Sequence, residues 1–262
     1  MSNTNTERVD EISQYYSPVI KLEKISESIF WIDVVLSLII PYSALIVGET
    51  IKDILQIFFL ILVLGYFGIS QISSLYFFPK AEFERRKQLL SNSFGVPFSS
   101  ENTEKYYNNN LDPSIKRLGA NTMENTLFSK AIALKMLERR RIIISIYLVA
   151  WITAILIRHD SLEIIAWITQ LVFSGEIIAE WLKLEIFRFR CKQMYQELYD
   201  YFRLKSEQDS LNGIATVLNA YATYEAAKSD AGILLSKKDF NELNPTLSKK
   251  WEKICQKLNI SI

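Results

Sequence analysis

The feature that most constrains the fold is the stretch 139–190, which is apolar over most of its length and basic at both ends. Its two apolar runs, 142–157 and 162–182, are each close to the ~20 residues that a helix rising ~1.5 Å per residue needs to cross a hydrocarbon layer of ~30 Å. The short polar connection Arg158–Ser161 forces two such helices into an antiparallel hairpin, with both open ends on the basic side. The stretch therefore predicts a membrane hairpin.

A second pair of apolar runs, 29–48 and 51–78, comes earlier in the chain and is divided by the polar pair Glu49-Thr50. We expect Pro41 to kink the first run, because proline cannot donate the backbone hydrogen bond of a helix interior. The second run is too long for one perpendicular crossing and should tilt or project beyond the lipid. The predicted fold is an all-α membrane protein with four transmembrane helices arranged as two hairpins.

The distribution of basic residues predicts the orientation. Segment 79–141 carries twelve Lys and Arg against seven Asp and Glu, whereas each hairpin tip carries one base, Lys52 or Arg158. Cytosolic loops are the ones enriched in Lys and Arg, so both termini and this segment are predicted to be cytosolic. The predicted regions are an N-terminal cytosolic amphipathic segment (1–28), a first transmembrane hairpin (29–78), a cytosolic connector (79–141), a second transmembrane hairpin (142–182) and a C-terminal cytosolic helical region (183–262).

The connector and the C-terminal region are each too small to fold well alone, so we expect them to pack into one helical cytosolic module. Pro79 is expected to end the second span, and no segment has the pattern of a strand. The elements predicted for this module are a charged helix at 82–90, a polar loop at 92–121, a helix at 124–138 running into the third span, helical structure through residue 209, a helix at 211–228, a turn at 236–243 and a helix at 246–258 after Pro245.

Residues for catalysis or metal binding are few. The one histidine, His159, lies beside Asp160 in a predicted hairpin tip. No Cys/His cluster has metal-ligand spacing, and no Gly-rich phosphate loop or Gly-x-Ser-x-Gly elbow is present. Cys191 and Cys255 lie on the predicted cytosolic side, where free thiols are expected. The sequence predicts a protein that is not an enzyme and needs no cofactor or metal.

Three acidic residues lie within or beside the predicted spans. Ionisable groups there are costly and tend to face a bundle interior or a water-filled cavity. Glu176 and Glu180 are four residues apart and share a helix face, and Asp33 lies at similar depth in the first span. Together they could line a pore or vestibule that attracts cations. In the alternative interpretation, Glu180 lies among the lipid headgroups and pairs with Lys183.

The connector combines Asn, Tyr and Ser with Arg and Lys, side chains that stack on bases and bind phosphates without any protein nucleophile. The alternative is a solvated loop whose asparagines form turns, with Arg139–Arg141 serving only as a topology signal. Tyr195, Tyr199 and Tyr201, beyond the fourth span, are assigned to the core. The candidate ligand-binding residues are Arg85, Arg86, Asn92, Tyr106, Tyr107, Asn108, Asn109, Glu124, Asn125 and Arg140.

Three short motifs accompany the two hairpins: Ser91-Asn92-Ser93-Phe94-Gly95, Tyr106-Tyr107-Asn108-Asn109 and Glu124-Asn125-Thr126-Leu127-Phe128. Over about residues 10–260 the chain resembles the SMODS-associated four-transmembrane effectors of bacterial CBASS-type anti-phage operons. The resemblance implies an inner-membrane protein encoded beside a cyclic-oligonucleotide synthetase. It also implies that the protein senses the cyclic di- or trinucleotide product in the cytosol and permeabilises or disrupts the membrane, causing abortive infection.

The resulting hypothesis is a homo-oligomer gated by a cyclic nucleotide, because four helices packed in one subunit leave little room for a conducting pathway. Two other classes stay open. A small ion channel or transporter component would need no nucleotide and would depend on Asp33 or Glu176 for flux. A membrane-anchored adaptor would tolerate the loss of both acids. An integral-membrane enzyme would require polar residues converging on one site, and the sequence does not indicate such a site.

Overall fold

The structure, a computed structural model, describes residues 9–99, 101, 103–104, 107–156, 176–204 and 210–262. Within these ranges the chain is almost entirely helical, which confirms the predicted all-α class. One short antiparallel ladder pairs β1 (Val9–Asp10) with β2 (Thr103–Glu104). The helices are α1 (Ser13–Val47), α2 (Glu49–Ile72), α3 (Phe78–Phe94), α4 (Ile115–Leu156), α5 (Glu176–Arg203), α6 (Leu211–Ala231) and α7 (Lys237–Leu258).

The chain divides into two compact units. The first, called the helical unit below, consists of Met1–Ile12, Glu82–Ile146 and Glu176–Ile262. The second, called the hairpin unit, consists of Ser13–Ala81 and Tyr147–Gly175. Most of the central connector and the whole C-terminal region therefore belong to the same unit.

Helices α1 and α2 form an antiparallel hairpin that reverses at Gly48. This residue has a φ of +86°, a backbone conformation that glycine adopts without the steric cost of a side chain. Phe30 and Tyr66, each eighteen residues from Gly48, bring their ring centroids within 6.2 Å of each other across the two helices. The polar turn predicted at Glu49-Thr50 is thus shifted by one residue to Gly48, and Glu49 begins α2.

The apolar side chains of α2 point outward. None of its residues is buried, and Leu64 is 70% exposed. A helix that is apolar around its whole circumference is stable only inside a protein core or a membrane. Among the described residues, the stretch Glu49–Phe94 is the one helix long and apolar enough to cross a membrane. Most of the fourth predicted span, and the tip containing His159, lie outside those residues.

The helix that contains the second predicted span does not end at Pro79. A π-helical turn at Ser73–Phe77 comes just before it, in which the backbone N–H of Phe78 donates to the carbonyl of Ser73, five residues back. Such a turn widens the helix locally, and here it precedes a residue that has no N–H of its own to donate. The helix continues as α3, which is longer than the charged segment predicted at 82–90.

Two predicted boundaries are wrong, and in both cases a serine cap marks the true start of the helix. The loop predicted at 92–121 ends earlier, because Ser114 Oγ accepts a hydrogen bond from the Arg117 backbone N–H at 3.2 Å and α4 begins at Ile115. The two C-terminal pieces predicted on either side of Pro245 form the single helix α7, capped by Ser236. Helix α5 ends at Arg203, and residues 205–209 lie outside the described part of the chain.

The core of the helical unit is built from α4, α5, α6 and α7. Gly119 of α4 lets α6 approach closely, since a Cβ there would lie 3.2 Å from Val217 Cγ2 and 3.6 Å from Phe202 Cε2. The largest fully buried side chains of these helices are Leu118, Met123, Leu127, Leu137, Leu184, Leu198, Phe202, Val217 and Trp251.

Replacing Gly119 with leucine is expected to destabilise the helical unit by ~1–3 kcal/mol, because the new side chain would overlap Val217 and Phe202. Ala222→Leu places the same side chain on an exposed position of α6 and should change stability by no more than about 0.5 kcal/mol. Thermal unfolding in detergent, followed by circular dichroism, compares the two variants. Equal midpoints would contradict the close packing at Gly119.

Candidate functional site

Polar residues of the connector form an internal hydrogen-bond network around Asn121, which is completely buried. Its Nδ2 donates to Asn92 Oδ1 at 3.1 Å and to Ser93 Oγ at 3.0 Å, and its Oδ1 accepts from Asn109 Nδ2 at 2.8 Å. Arg117 Nη2 also donates to Asn92 Oδ1, at 3.2 Å. Two of the predicted ligand residues, Asn92 and Asn109, are therefore held by intramolecular hydrogen bonds.

A second set of bonds anchors the loop that precedes α4. The buried Glu124 carboxylate accepts from the Asn108 backbone N–H at 3.1 Å and from its Nδ2 at 2.5 Å. The Trp251 indole donates to the Asn108 carbonyl at 3.0 Å, and Asn125 Nδ2 donates to the Tyr107 hydroxyl at 3.2 Å. A ligand that used these four predicted residues would have to displace bonds that fix the loop to α4 and α7.

Arg85 lies in a largely buried ionic cluster that joins α3 to α6. Its guanidinium is 2.5 Å from Glu225 Oε2 and 2.9 Å from Glu82 Oε2, and the Lys228 ammonium is 3.1 Å from Glu82 Oε1. Burial, followed by the charge of Arg85, lowers the pKa of Lys228. Arg86 lies 3.2 Å from Glu225 and is more accessible, with 38% of its side chain exposed. Charges this deeply buried are tolerated when each has a partner.

Removing the Glu225 carboxylate takes away a partner of Arg85 and of Arg86 in this cluster, so Glu225→Ala is expected to destabilise the helical unit by ~3–5 kcal/mol. Glu197→Ala is the matched control, because Glu197 accepts an exposed hydrogen bond from Asn219 on α6. Chemical or thermal unfolding in detergent measures both variants. The structural role assigned to the cluster would be wrong if the two variants unfolded at the same midpoint.

The three consecutive arginines at 139–141 also have carboxylate partners. Arg140, a predicted ligand residue, is 2.7 Å from Glu180, and both side chains are about two-fifths exposed. Glu180 therefore pairs with Arg140 of α4 and not with Lys183, while its predicted location among the lipid headgroups stays a prediction. The three pairs are Arg139 with Asp239, Arg140 with Glu180 and Arg141 with Glu185.

The predicted vestibule is only partly covered by the described residues. Asp33 lies on α1 in the hairpin unit, and its Oδ1 is buried without a hydrogen-bond partner in the described part of the chain. Glu176 is the first residue of α5, and its side chain lies outside the described part of the chain. Tyr106 of the predicted ligand set lies outside the described residues. The vestibule stays a prediction.

A group of lysines that the sequence does not single out lies on α4, α5 and α7. Lys130 Nζ is 3.0 Å from the centroid of the Tyr195 ring, and Lys257 Nζ is 5.8 Å from that of Tyr199. The two tyrosine rings have centroids 6.1 Å apart. We call this surface the lysine–tyrosine groove, and its members are Lys130, Lys192, Tyr195, Tyr199, Lys250 and Lys257.

The electrostatics of the groove differ from those of the arginine pairs. Burial lowers the pKa of Lys130 to about 8, and the nearby charges of Lys250 and Lys192 contribute to that shift. None of the four lysines forms an ion pair with another described residue. At one end of the groove, Tyr199 and Lys257 border an open depression of about 300 Å³ that Phe202, Arg203 and Leu258 complete. Ammonium groups beside aromatic rings are suited to binding an anion that carries an aromatic ring.

The sequence contains a partial signal for this groove. Lys192, Tyr195 and Tyr199 are spaced i, i+3 and i+7, which places them on one face of α5, and Lys250 and Lys257 are likewise seven residues apart on α7. The assignment of the tyrosines to the core is confirmed for Tyr201 alone, since Tyr195 and Tyr199 are only half-buried at the edge of the core.

The described residues contain no group of three or more His, Cys, Asp or Glu side chains that could hold a metal ion. Cys191 and Cys255 are free and buried. Burial raises the pKa of each thiol to about 12, so both are protonated at neutral pH and unreactive as nucleophiles.

The chain matches no protein-family model, no characterised protein and no solved structure. The resemblance to the four-transmembrane effectors therefore rests on the two predicted hairpins and the three short motifs, and it stays a prediction. Asn92, Asn108, Asn109, Glu124 and Asn125, which belong to these motifs, have the fold-stabilising contacts described above.

Proposed function

We propose that the protein is a multi-pass membrane effector that binds a cyclic oligonucleotide through its helical unit and then permeabilises the bacterial inner membrane. The observation that carries the proposal is the contrast between its two units. One exposes apolar side chains along a long helix, and the other has a packed core and four lysines that pair with no carboxylate of the described residues. A chain of this kind suits a protein that receives a signal in water and acts in lipid.

The membrane part of the proposal comprises four spans, with both termini and the helical unit in the cytosol. Besides α2, it is supported by apolar side chains exposed on α1, such as Trp31 and Val35, and on α4, such as Ile146 and Val149. These residues fall in the first and third predicted spans, where contact with lipid would remove them from water. The excess of Lys and Arg in segment 79–141 supports the cytosolic orientation.

The signalling part of the proposal depends on helix α4. This single helix, Ile115–Leu156, carries Lys130 in the helical unit and also the described part of the third predicted span. A ligand changes a conformational equilibrium only if it binds one arrangement better than the other. We propose that the nucleotide favours an arrangement of α4 and α5 that opens a path past Asp33, Glu176 and Glu180 in a homo-oligomer, ending in abortive infection.

The proposal predicts leakage that depends on one nucleotide. The purified full chain in liposomes should release an encapsulated dye with one cyclic di- or trinucleotide and not with the linear nucleotide of the same composition. The nucleotide should be recovered unchanged, because the protein is proposed to sense it and not to react with it. A flotation assay checks that the protein is inserted.

Two results would contradict this proposal. Leakage that is the same with and without nucleotide would identify a constitutive channel or transporter component. Silence across the whole panel, in protein shown to be folded and inserted, would instead favour a membrane-anchored adaptor.

A further inference from the structure

We propose that the lysine–tyrosine groove is the site that binds the nucleotide, with its lysines on the phosphates and the depression beside Tyr199 receiving a base or a ribose. This inference rests on the proposed function and assigns nucleotide binding to residues outside the three short motifs. It also differs from the contacts that the sequence predicts, which centre on the connector and its arginines.

Five arginines of the helical unit differ from the lysines of the groove in having carboxylate partners. Arg85, Arg86 and the arginines at 139–141 each lie beside a carboxylate, so an incoming anion would have to compete with a protein group. The lysines of the groove have no such competitor among the described residues. Because binding a phosphate there breaks no existing ion pair, the groove is the better anion site.

The charged groups around Lys130 in the groove are all cations. The groups facing Lys130 are Lys192, Cys191 and Tyr195 on α5 and Lys250 on α7, and none of them carries a negative charge at neutral pH. Like charges brought together in a partly buried place oppose folding. Unfavourable arrangements of this kind are expected at functional sites. A bound anion would offset the repulsion between these lysines.

The tyrosine rings of the groove lie beside two of its ammonium groups. The quadrupole of an aromatic ring attracts an ammonium group to the ring face. The N–H donors that point away from the ring can then bind an anion. Lys130 over Tyr195 has this arrangement, and Lys257 lies at a longer distance from Tyr199. The depression of about 300 Å³ beside Tyr199 is at the lower end of ligand-pocket sizes and has Phe202 in its wall, which suits a flat, partly apolar group.

The length of the groove indicates the class of nucleotide. Lys250 and Lys257 are separated by about 10 Å along α7, taking ~1.5 Å per residue. One end therefore holds Lys130, Lys192 and Lys250, and the other holds Lys257 beside Arg203, which is paired with Asp200. A ligand with two separated phosphates can reach both ends, so we expect cyclic dinucleotides or trinucleotides to bind more tightly than a mononucleotide.

The test is equilibrium binding of cyclic di-AMP, cyclic di-GMP, cyclic tri-AMP and AMP to the full chain in detergent. The double variant Lys130→Gln/Lys250→Gln should weaken binding of the tightest ligand by about tenfold or more and reduce its dependence on salt. The control Lys237→Gln/Lys238→Gln removes two exposed charges from α7, the helix that carries Lys250, and should change affinity less than about twofold. Circular dichroism checks the folding of each variant.

The pH dependence gives a readout in the unaltered protein, which holds even where a variant fails to fold. A bound phosphate favours protonated Lys130, whose pKa in the free protein is about 8. Affinity should therefore be highest below pH 8 and fall as the pH rises through it. The single variant Lys130→Gln should lose this fall, and Lys250→Arg, which keeps the charge, should retain most of the affinity.

Failure of this inference can be distinguished from failure of the proposed function. If a nucleotide causes leakage and the lysine variants bind it as tightly as the unaltered protein, the groove is wrong and the proposed function stands. If no nucleotide binds, and the same variants instead lose binding to phosphatidylglycerol vesicles, the groove is a lipid-headgroup site and the nucleotide assignment is overturned. If the lysine variants lose both nucleotide binding and leakage, and the control variant keeps both, the result supports the groove and the proposed function.

Discussion

The exposed apolar surface of α1 and α2 is the constraint on which the rest of the structure depends. Burying apolar surface is the main favourable term in folding, yet α2 buries none of its residues within the described hairpin. The free energy that stabilises such a hairpin has to come from another apolar phase or from other helices. A lipid bilayer would supply that phase, and the stretch Glu49–Phe94 is long and apolar enough to cross one.

The helical unit is organised around the partners of its charges. Arg85 and the arginines at 139–141 have carboxylate partners, and through these pairs α3 is linked to α6 and α4 to α5 and α7. The buried amide network around Asn121 holds the connector loop in place. These groups specify the fold. Lys130 and Lys257 lie beside aromatic rings instead of carboxylates among the described residues.

The all-α class and the continuity of α4 could be predicted from the sequence, because long apolar and amphipathic periodicities dominate there. The continuation of the helices through Pro79 and Pro245 could not. Proline is a strong local signal for a helix end, but a π-turn precedes the first and the capped helix α7 continues through the second. The polar motif residues were predicted as ligand contacts because composition does not reveal that Asn92 and Asn109 bond to the buried Asn121.

The lysine–tyrosine groove could not be predicted, for a different reason. Its members come from α4, α5 and α7, and Lys130, Lys192 and Lys250 are about sixty residues apart along the chain. Each is an ordinary surface lysine by local pattern, and only the packing of the three helices brings their charges together. Candidate sites of this kind depend on long-range contacts, which periodicity does not encode.

The central claim is that α2 contacts lipid and the helical unit contacts water. Spin-label accessibility tests this claim most directly. Single cysteines in place of Leu64, on α2, and Leu211, on α6 and 83% exposed, would be labelled in lipid nanodiscs. Cys191 and Cys255 are buried and should stay unlabelled. We expect the label at position 64 to collide with oxygen and not with a water-soluble nickel complex, and the label at position 211 to show the reverse. Equal exposure of both labels to the nickel complex would contradict the claim.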